Sequence, residues 1–494
     1  MTTAEPTRVD GTRADDRTAG TGVGPLWASI LVGAVGAVGM VLSGSAIGAV
    51  PHPTSVHWWF TVSTGRGVAA HLAFYGSVVV LLLGWVGLGV HARRGRLSVP
   101  TAWLVLGCWG LPFFLGAPLF SRDLYSYVAQ GQLAHQGLNP YVVPPTALGP
   151  GTVLSSIATV WQHSASPYGP LFVSVSRLTA ALGGRTLVSQ ILAFRTLELI
   201  GVVLVMVALP PLARRAGNDA GVALWLGALS PLALFSFVSS GHNDALMLGL
   251  LLSGLALGTR GWLRWGVALC ALGATIKLPA AAGIVFLVAD ACTRADRATR
   301  WRVIAESAAI TVLVVVAVTV GAGFGWTWLG PTALHVPTEL KVLITPVVSV
   351  GSFLGGGLHA LGLPVSVSNG ISLVQALGAL VAVLGIVWMA FHVKGRDPLR
   401  LCGLALLLFV VLSPTLWPWY LVWGVAVLAA SSAQRSRGVA LVAGLGMLVV
   451  NAGGTPLLNG GDFWVTGPLL LVAAVWFVAS GAWRRAIGEV TGAV

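Results

Sequence analysis

Charge is scarce in this 494-residue sequence: only 9% of residues are Asp, Glu, Lys or Arg, against about 25% in soluble domains. A chain so poor in charge cannot hydrate the surface of a soluble enzyme of this length. Acidic residues are rarer still, 15 Asp and Glu against 28 Lys and Arg. Any chemistry that needs a carboxylate must therefore draw on a short set of positions. Cysteine is also sparse. Cys108, Cys270, Cys292 and Cys402 all sit in apolar stretches, a pattern that offers neither a disulfide framework nor a metal-binding spacing. No stretch reads as an appended soluble or nucleotide-binding domain. No period of 20–50 residues or two-half repeat appears either, which sets repeat architectures aside.

What the sequence does have is length of apolar run. Hydrophobic residues make up 56% of it, and uncharged runs of membrane-spanning length recur from Pro25 onward, each able to cross about 30 Å of hydrocarbon. The 64 glycines suit close helix contacts in lipid. The fold class expected is an all-α integral membrane protein, a polytopic helical bundle of about 13–14 transmembrane helices. The net charge of +13 does not indicate nucleic acid, because the basic residues flank the apolar runs as topology signals.

Residues 1–24 are polar, mix both charge signs and read as a disordered cytoplasmic tail. Basic clusters follow at Arg93-Arg94-Arg96, Arg214-Arg215, Arg260 with Arg264, Arg294 to Arg302, Lys394-Arg396-Arg400, Arg435-Arg437 and Arg484-Arg485. Placed in the cytoplasm, they leave Arg66, Arg122, Arg177, Arg185, Arg195, Lys277 and Lys341 outside or within the membrane. Both termini are then cytoplasmic, with 484–494 a C-terminal tail and 25–483 a single membrane domain. Spans near 25–49, 67–90 and 98–120 bring Arg122 and Asp123 out on the far side. The loop 121–165 is the longest external polar segment, and 324–366 is a second.

The same charges mark three hairpins that return to the cytoplasm: 219–260, 264–294 and 400–435. Their tips carry Ser240-Gly-His-Asn-Asp244, Thr275-Ile-Lys-Leu-Pro279 and Ser413-Pro-Thr-Leu-Trp-Pro-Trp-Tyr420. The arms of the second are about 14 residues, or about 21 Å of helix, so Lys277 should lie recessed below the outer surface.

Of the acidic residues, only Asp123, Asp244, Glu339 and Asp462 face outward on this topology. Asp123 opens a segment in which Leu124, Tyr127, Val128, Gly131, Ala134 and Leu138 recur at helical spacing. It reads as an amphipathic helix in the interface, ended by Gly137 and Asn139-Pro140. A carboxylate held there can take a proton from a sugar hydroxyl; it can also cap the helix. His242-Asn243-Asp244 can bind sugar hydroxyls or cap the helix that follows. Its spacing is too tight for a metal site, and no metal or other cofactor is expected. Lys277 suits a lipid phosphate as a point charge, or snorkels outward. Arg195 and Glu198, three apart within a span, read as a functional pair or a mutually neutralising one. Ser166-Pro-Tyr-Gly-Pro170 is a rigid turn that either lines a site or only punctuates a loop. Trp417 and Trp419 suit a stacking platform, and Trp423 an interfacial belt.

The stretches Arg122-Asp-Leu-Tyr-Ser-Tyr-Val-Ala-Gln-Gly131, Gly137-Leu-Asn-Pro-Tyr141, Ser166–Pro170, Gly241-His-Asn-Asp-Ala-Leu-Met247, Ile276–Pro279 and Ser413–Tyr420 resemble the actinobacterial alpha-1,6-mannopyranosyltransferases. These are polytopic glycosyltransferases of the GT-C class. The resemblance spans roughly 25–483. It implies transfer of mannose from a polyprenyl-phosphate mannose donor to a lipid-linked alpha-1,6-mannan acceptor, in lipomannan and lipoarabinomannan synthesis, on the external face of the plasma membrane. It further implies that Asp123 is the catalytic base, since GT-C enzymes carry an acidic residue in the first large external loop. Where many GT-C members have two acidic residues, this chain has Arg122-Asp123. Substrate contacts are expected from Arg122, Tyr125, Tyr127, Gln130, Tyr168, His242, Asn243, Asp244, Lys277, Trp417, Trp419 and Tyr420. Lys277, Arg195 and His242 are the candidates for the donor phosphate. The partners expected are thus the two lipid-linked substrates and membrane lipid, with no nucleic acid. The alternatives are a GT-C enzyme for another sugar (arabinosyl or protein mannosyl transfer) and a lipid or sugar transporter.

Overall fold

The computed structural model describes residues 25–44, 58, 68–119, 121–330 and 345–431. Among these there are helices and turns but no strand. That is what lipid demands of a chain whose backbone polar groups must all be satisfied internally. The protein is a polytopic all-α membrane protein. The tails at 1–24 and 484–494, Glu339 and Asp462 lie outside the described residues.

We number the principal helices α1 (Leu26–Gly44), α2 (Val68–Arg93), α3 (Val99–Leu115), α4 (Asp123–His135), α5 (Pro170–Leu182), α6 (Leu187–Arg215), α7 (Ala220–Gly227), α8 (Asp244–Thr259), α9 (Leu263–Ala274), α10 (Ala281–Thr293), α11 (Arg297–Ala322), α12 (Pro346–Ala360), α13 (Val367–Phe391), α14 (Pro398–Leu412) and α15 (Leu421–Ala430). Five helices among the described residues are long and apolar enough to span a membrane, or six if α7 and the bent segment Pro231–Ser239 are one broken span. The larger number expected from sequence counts apolar runs. Several of those runs fold as helices of 10–17 residues instead, interrupted at Gly, Pro and polar tips.

Packing centres on α7, whose eight residues are all buried, as expected of a helix apolar on every side. Trp225 of α7 and Trp85 of α2 exchange indole hydrogen bonds, each donating to the other's carbonyl at 2.9 and 3.1 Å. Trp109 of α3 donates to Ile30 O of α1 at 2.8 Å. Buried indoles thus find acceptors while tying neighbouring helices together.

Among the described residues, each expected hairpin is a pair of helical arms: α7 with the segment Pro231–Ser239 and α8, α9 with α10, and α14 with α15. α8 has 16 residues, α9 and α10 have 12 and 13, and α14 and α15 have 15 and 10. At 1.5 Å per residue most of these arms reach only about 15–24 Å, short of the hydrocarbon thickness. The arms of the second hairpin are as short as the recess expected for Lys277 requires.

Two expectations need correction. α4 is not an amphipathic helix with a solvated face: Leu124 to Gly131, Leu133 and Ala134 are all buried, Ser126 and Gln130 included. α5 packs along it, and Ser126 and Gln130 find partners within the protein. The segment 324–366, expected as a loop, is not simply loop among its described residues, because Pro346–Ala360 forms α12 and packs on α13. Its sequence is apolar and Gly-rich, which suits a close helix pair.

Candidate active site

The three hairpin tips meet each other and the start of α4. Arg195 fixes this meeting from below. Its Nε donates to Ser239 O at 3.0 Å and its Nη1 to Phe114 O and Gly116 O at 2.8 and 2.6 Å, while Nη2 also donates to Ser239 O. The guanidinium thus staples the end of α3 to the first tip. Ser239 Oγ accepts from Leu119 N at 3.3 Å, and Ser240 Oγ donates to Leu119 O. The segment leading into Asp123 is thereby held against Gly241-His242. This is a correction for Arg195 as a donor-phosphate ligand: it is 1% exposed and every guanidinium nitrogen is engaged with backbone carbonyls. Nor does it pair with Glu198, whose Oε2 accepts from Leu246 N at 3.1 Å.

Asp123 is the first residue of α4 and is not its cap. Arg122 holds the cap position, half-buried and with no side-chain capping bond. Ser121 Oγ accepts from Asp123 N at 3.1 Å. The Asp123 carboxylate faces the first tip, with Oδ2 3.6 Å from His242 Nδ1, and the side chain is 17% exposed where His242 is 1%. Burial pushes the carboxyl up from 3.8 to about 6; the nearby Lys277 charge opposes this, Asp244 adds to it, and hydrogen bonds from Ser121 and Trp161 oppose it. The result is a carboxylate still ionised at neutral pH but far more basic than usual.

His242 is clamped on its other sides. Tyr127 Oη lies 3.5 Å from the same Nδ1, and the imidazole stacks on Trp419 with centroids 4.1 Å apart. Trp419 stacks in turn on Trp417 at 5.1 Å. Trp419 is 4% exposed and lies inside this three-ring column, so the free stacking face expected of both tryptophans belongs to Trp417 alone.

Lys277, at the second tip, lies 2.9 and 3.1 Å from the two carboxylate oxygens of Asp244 at the first. Trp423, from the third hairpin, donates to Asp244 Oδ1 at 2.7 Å. The ammonium sits 4.4 Å from the Tyr420 ring centroid, 5.2 Å from Trp423 and 6.0 Å from Tyr168. Trp423 is therefore a site residue at 2% exposure, not part of an interfacial belt. Lys277 is 17% exposed on its side chain while Asp244 is fully buried. An ammonium has three donors; two are spent on Asp244, and the Tyr420 hydroxyl is within reach of the same group.

The Ser166–Pro170 turn forms a wall of the site. Gln130 Oε1 accepts from Ser166 Oγ at 2.9 Å and its Nε2 donates to Ser126 Oγ at 3.3 Å. Gly169 N and Leu171 N donate to Ile276 O and Thr275 O, both at 3.1 Å. A Cβ on Gly169 would lie 2.1 Å from Thr275 O, so only glycine permits this approach. The turn thereby carries Tyr168 to Tyr127, edge to face at 5.3 Å, and toward Lys277. Gln130 thus holds the wall in place from within the protein. Three of the chain's six tyrosines (Tyr127, Tyr168 and Tyr420) gather here.

Two expected contacts are placed elsewhere. Tyr125 is buried with its hydroxyl unbonded, within electrostatic reach of Arg195 and Arg122. Asn243 is fully buried, and its carboxamide makes neither a capping bond nor any other hydrogen bond. Trp161, from the short helix Thr159–Gln162, reaches Asp123 and was not anticipated. It lies 38 positions downstream, in a stretch without pattern. The arrangement brings together a basic carboxylate, a single cation and a stacked aromatic face.

The chain is similar to known proteins over most of its length. Residues 30–294 match the family described as alpha-(1->6)-mannopyranosyltransferase, N-terminal domain, and residues 347–483 match the MptB C-terminal domain. Alpha-(1->6)-mannopyranosyltransferase A of Mycobacterium tuberculosis is 31% identical over 472 residues, covering 92% of this chain and 90% of that protein. A probable alpha-(1->6)-mannopyranosyltransferase of Mycolicibacterium smegmatis is 32% identical over 446 residues, 81% of this chain and 78% of its own. Alpha-(1->6)-mannopyranosyltransferase B of Corynebacterium glutamicum is 29% identical over 442 residues, 81% and 72% of the two chains. No solved structure matches the chain. With more than half of its length matched by one family description and most of it by these relatives, the chain belongs to the alpha-(1->6)-mannopyranosyltransferase family.

Proposed function

We propose that this protein transfers mannose from polyprenyl-phosphate mannose to an alpha-1,6-mannan acceptor, with inversion, as a step of lipomannan and lipoarabinomannan synthesis. The observation that carries the reading is the placement of Asp123. Its partly exposed carboxylate, pushed up to about 6, lies within electrostatic reach of the partly exposed Lys277. Asp123 takes the proton of the acceptor 6-hydroxyl as that oxygen attacks the anomeric carbon. The glycosidic C–O bond to phosphate breaks on the opposite face, so a beta-linked donor gives an alpha-linked product. His242 orients the carboxylate. The positive charge of Lys277 steadies the departing phosphate, and the outer ring of Trp417 stacks on the acceptor. The recessed hairpin tips suit a lipid-borne donor, whose tail stays in the bilayer while its headgroup enters the site. On this reading the protein lies in the plasma membrane, with the recess on the external face and both termini in the cytoplasm.

The test uses purified protein in nanodiscs with a short alpha-1,6-mannoside. Polyprenyl-phosphate mannose should support transfer, giving a product cleaved by an alpha-1,6-mannosidase. Transfer from a nucleotide-mannose with no lipid donor present, or a beta-linked product, would overturn the reading.

A further inference from the structure

Glu198 lies within α6 and has no exposed surface. An ionisable group so placed is costly and calls for a task. Arg195, one turn earlier, does not neutralise it. Glu198 instead reaches across to α8, where its Oε2 accepts from Leu246 N at 3.1 Å; its Oε1 has no hydrogen-bond partner in the protein.

Leu246 is the third residue of α8. The first amides of a helix have no partner within it, and the N-cap side chain normally accepts from the second or third of them. Here the N-cap residue is Asn243, and its side chain makes no such bond. The donor is satisfied by a carboxylate 48 positions earlier on another helix. One turn further along α6, the two backbones touch. A Cβ on Gly201 would lie 2.3 Å from Leu246 N, and one on Gly249 would lie 2.6 Å from Gly201 O. The glycines set how closely α8 approaches α6, and Glu198 sets where its first turn stops. That turn begins with Asp244, which binds Lys277, and follows directly on His242, which faces Asp123.

We propose that Glu198 is a positioning residue for the reaction: a helix cap supplied in trans, which holds the start of α8 so that His242 and Asp244 meet Asp123 and Lys277. The proposal rests on the mannosyl-transfer reading for its kinetic arm only. Glu198→Met and Glu198→Gln have similar volume and differ in whether an oxygen acceptor remains. In full-length protein in nanodiscs, hydrogen exchange of amides 245–247 should quicken in E198M and stay near wild type in E198Q. Turnover should fall about tenfold or more in E198M, as expected for a misplaced site, with E198Q retaining most of it. The pH profile of the remaining activity should keep its acid limb. Should E198M fail to accumulate, Glu198→Asp withdraws the oxygen by one methylene and carries the same expectation. Unchanged exchange and turnover in E198M would overturn the proposal. So would an E198Q as impaired as E198M, since the charge and not the acceptor would then matter. A wild type without mannosyl transfer would refute the functional reading alone, because the exchange comparison still decides the cap.

Discussion

Asp123 Oδ2 and His242 Nδ1 stand 3.6 Å apart, brought together from the start of α4 and the tip of a hairpin more than a hundred residues later. The distance is longer than a formed hydrogen bond, and catalytic hydrogen bonds tighten when substrate is in place. The relationship gives the carboxylate a fixed direction without neutralising it.

Its cost should be measurable in the folded protein. The carboxyl is raised from 3.8 to about 6, so ionising it is harder in the folded than in the unfolded chain. The native state is penalised at pH above about 6, and the penalty fades as pH falls from 6 toward 3.8. Asp123→Asn should therefore melt higher than wild type at pH 7.5, with the gap closing by pH 4. A lower melting temperature at pH 7.5 would show that the carboxylate is a structural anchor.

The Lys277–Asp244 pair should behave as a unit. Removing one partner from a buried pair leaves an uncompensated charge and costs about 3–5 kcal/mol. Asp244→Asn and Lys277→Met should each destabilise strongly, and the double variant less than the sum of the two. Additive effects in that cycle, read by thermal unfolding in detergent, would mean the pair is not coupled.

Trp423→Phe keeps the ring over Lys277 and removes the indole donor to Asp244. A hydrogen bond to a charged group contributes about 1.5–3 kcal/mol, so a clear drop in stability is expected. A Phe variant as stable as wild type would show that Asp244 finds another donor.

Trp417→Ala removes the outer face of the stacked column and leaves Trp419 against His242. A lost aromatic contact of ~1 kcal/mol corresponds to about a fivefold rise in acceptor KM, with kcat little changed. Unaltered acceptor KM with a weaker donor KM would place the lipid donor, not the acceptor, on this face.

Much of this was legible in the sequence where charge is informative. Basic residues mark both ends of each hairpin, and the tips they imply are the ones that form. Asp123 stood out because the chain has so few acidic residues, 15 in all. Convergence was not legible. Nothing local in Asp244 signals a lysine 33 positions on or a tryptophan 179 positions on. Trp423 follows an aromatic cluster that equally suits a membrane belt, and only packing decides. The burial of α4 was hidden for a similar reason: Ser126 and Gln130 look solvated until Ser166 supplies a partner. Arg195 and Glu198 invited pairing by spacing alone, yet each serves a backbone from another element. Apolar runs gave the fold class, and among the described residues several of them break into two short arms that hydropathy does not reveal.

The central claim is that Asp123 is the base. Mannosyl transfer from polyprenyl-phosphate mannose should be measured across pH 4.5–9 for wild type and Asp123→Asn at matched protein level. The account predicts a wild-type acid limb near pH 6, set by the Asp123 carboxyl, and loss of about 10²–10⁴-fold in the variant, the range for removing a general base. An Asn variant with near-wild-type turnover and the same acid limb would contradict it.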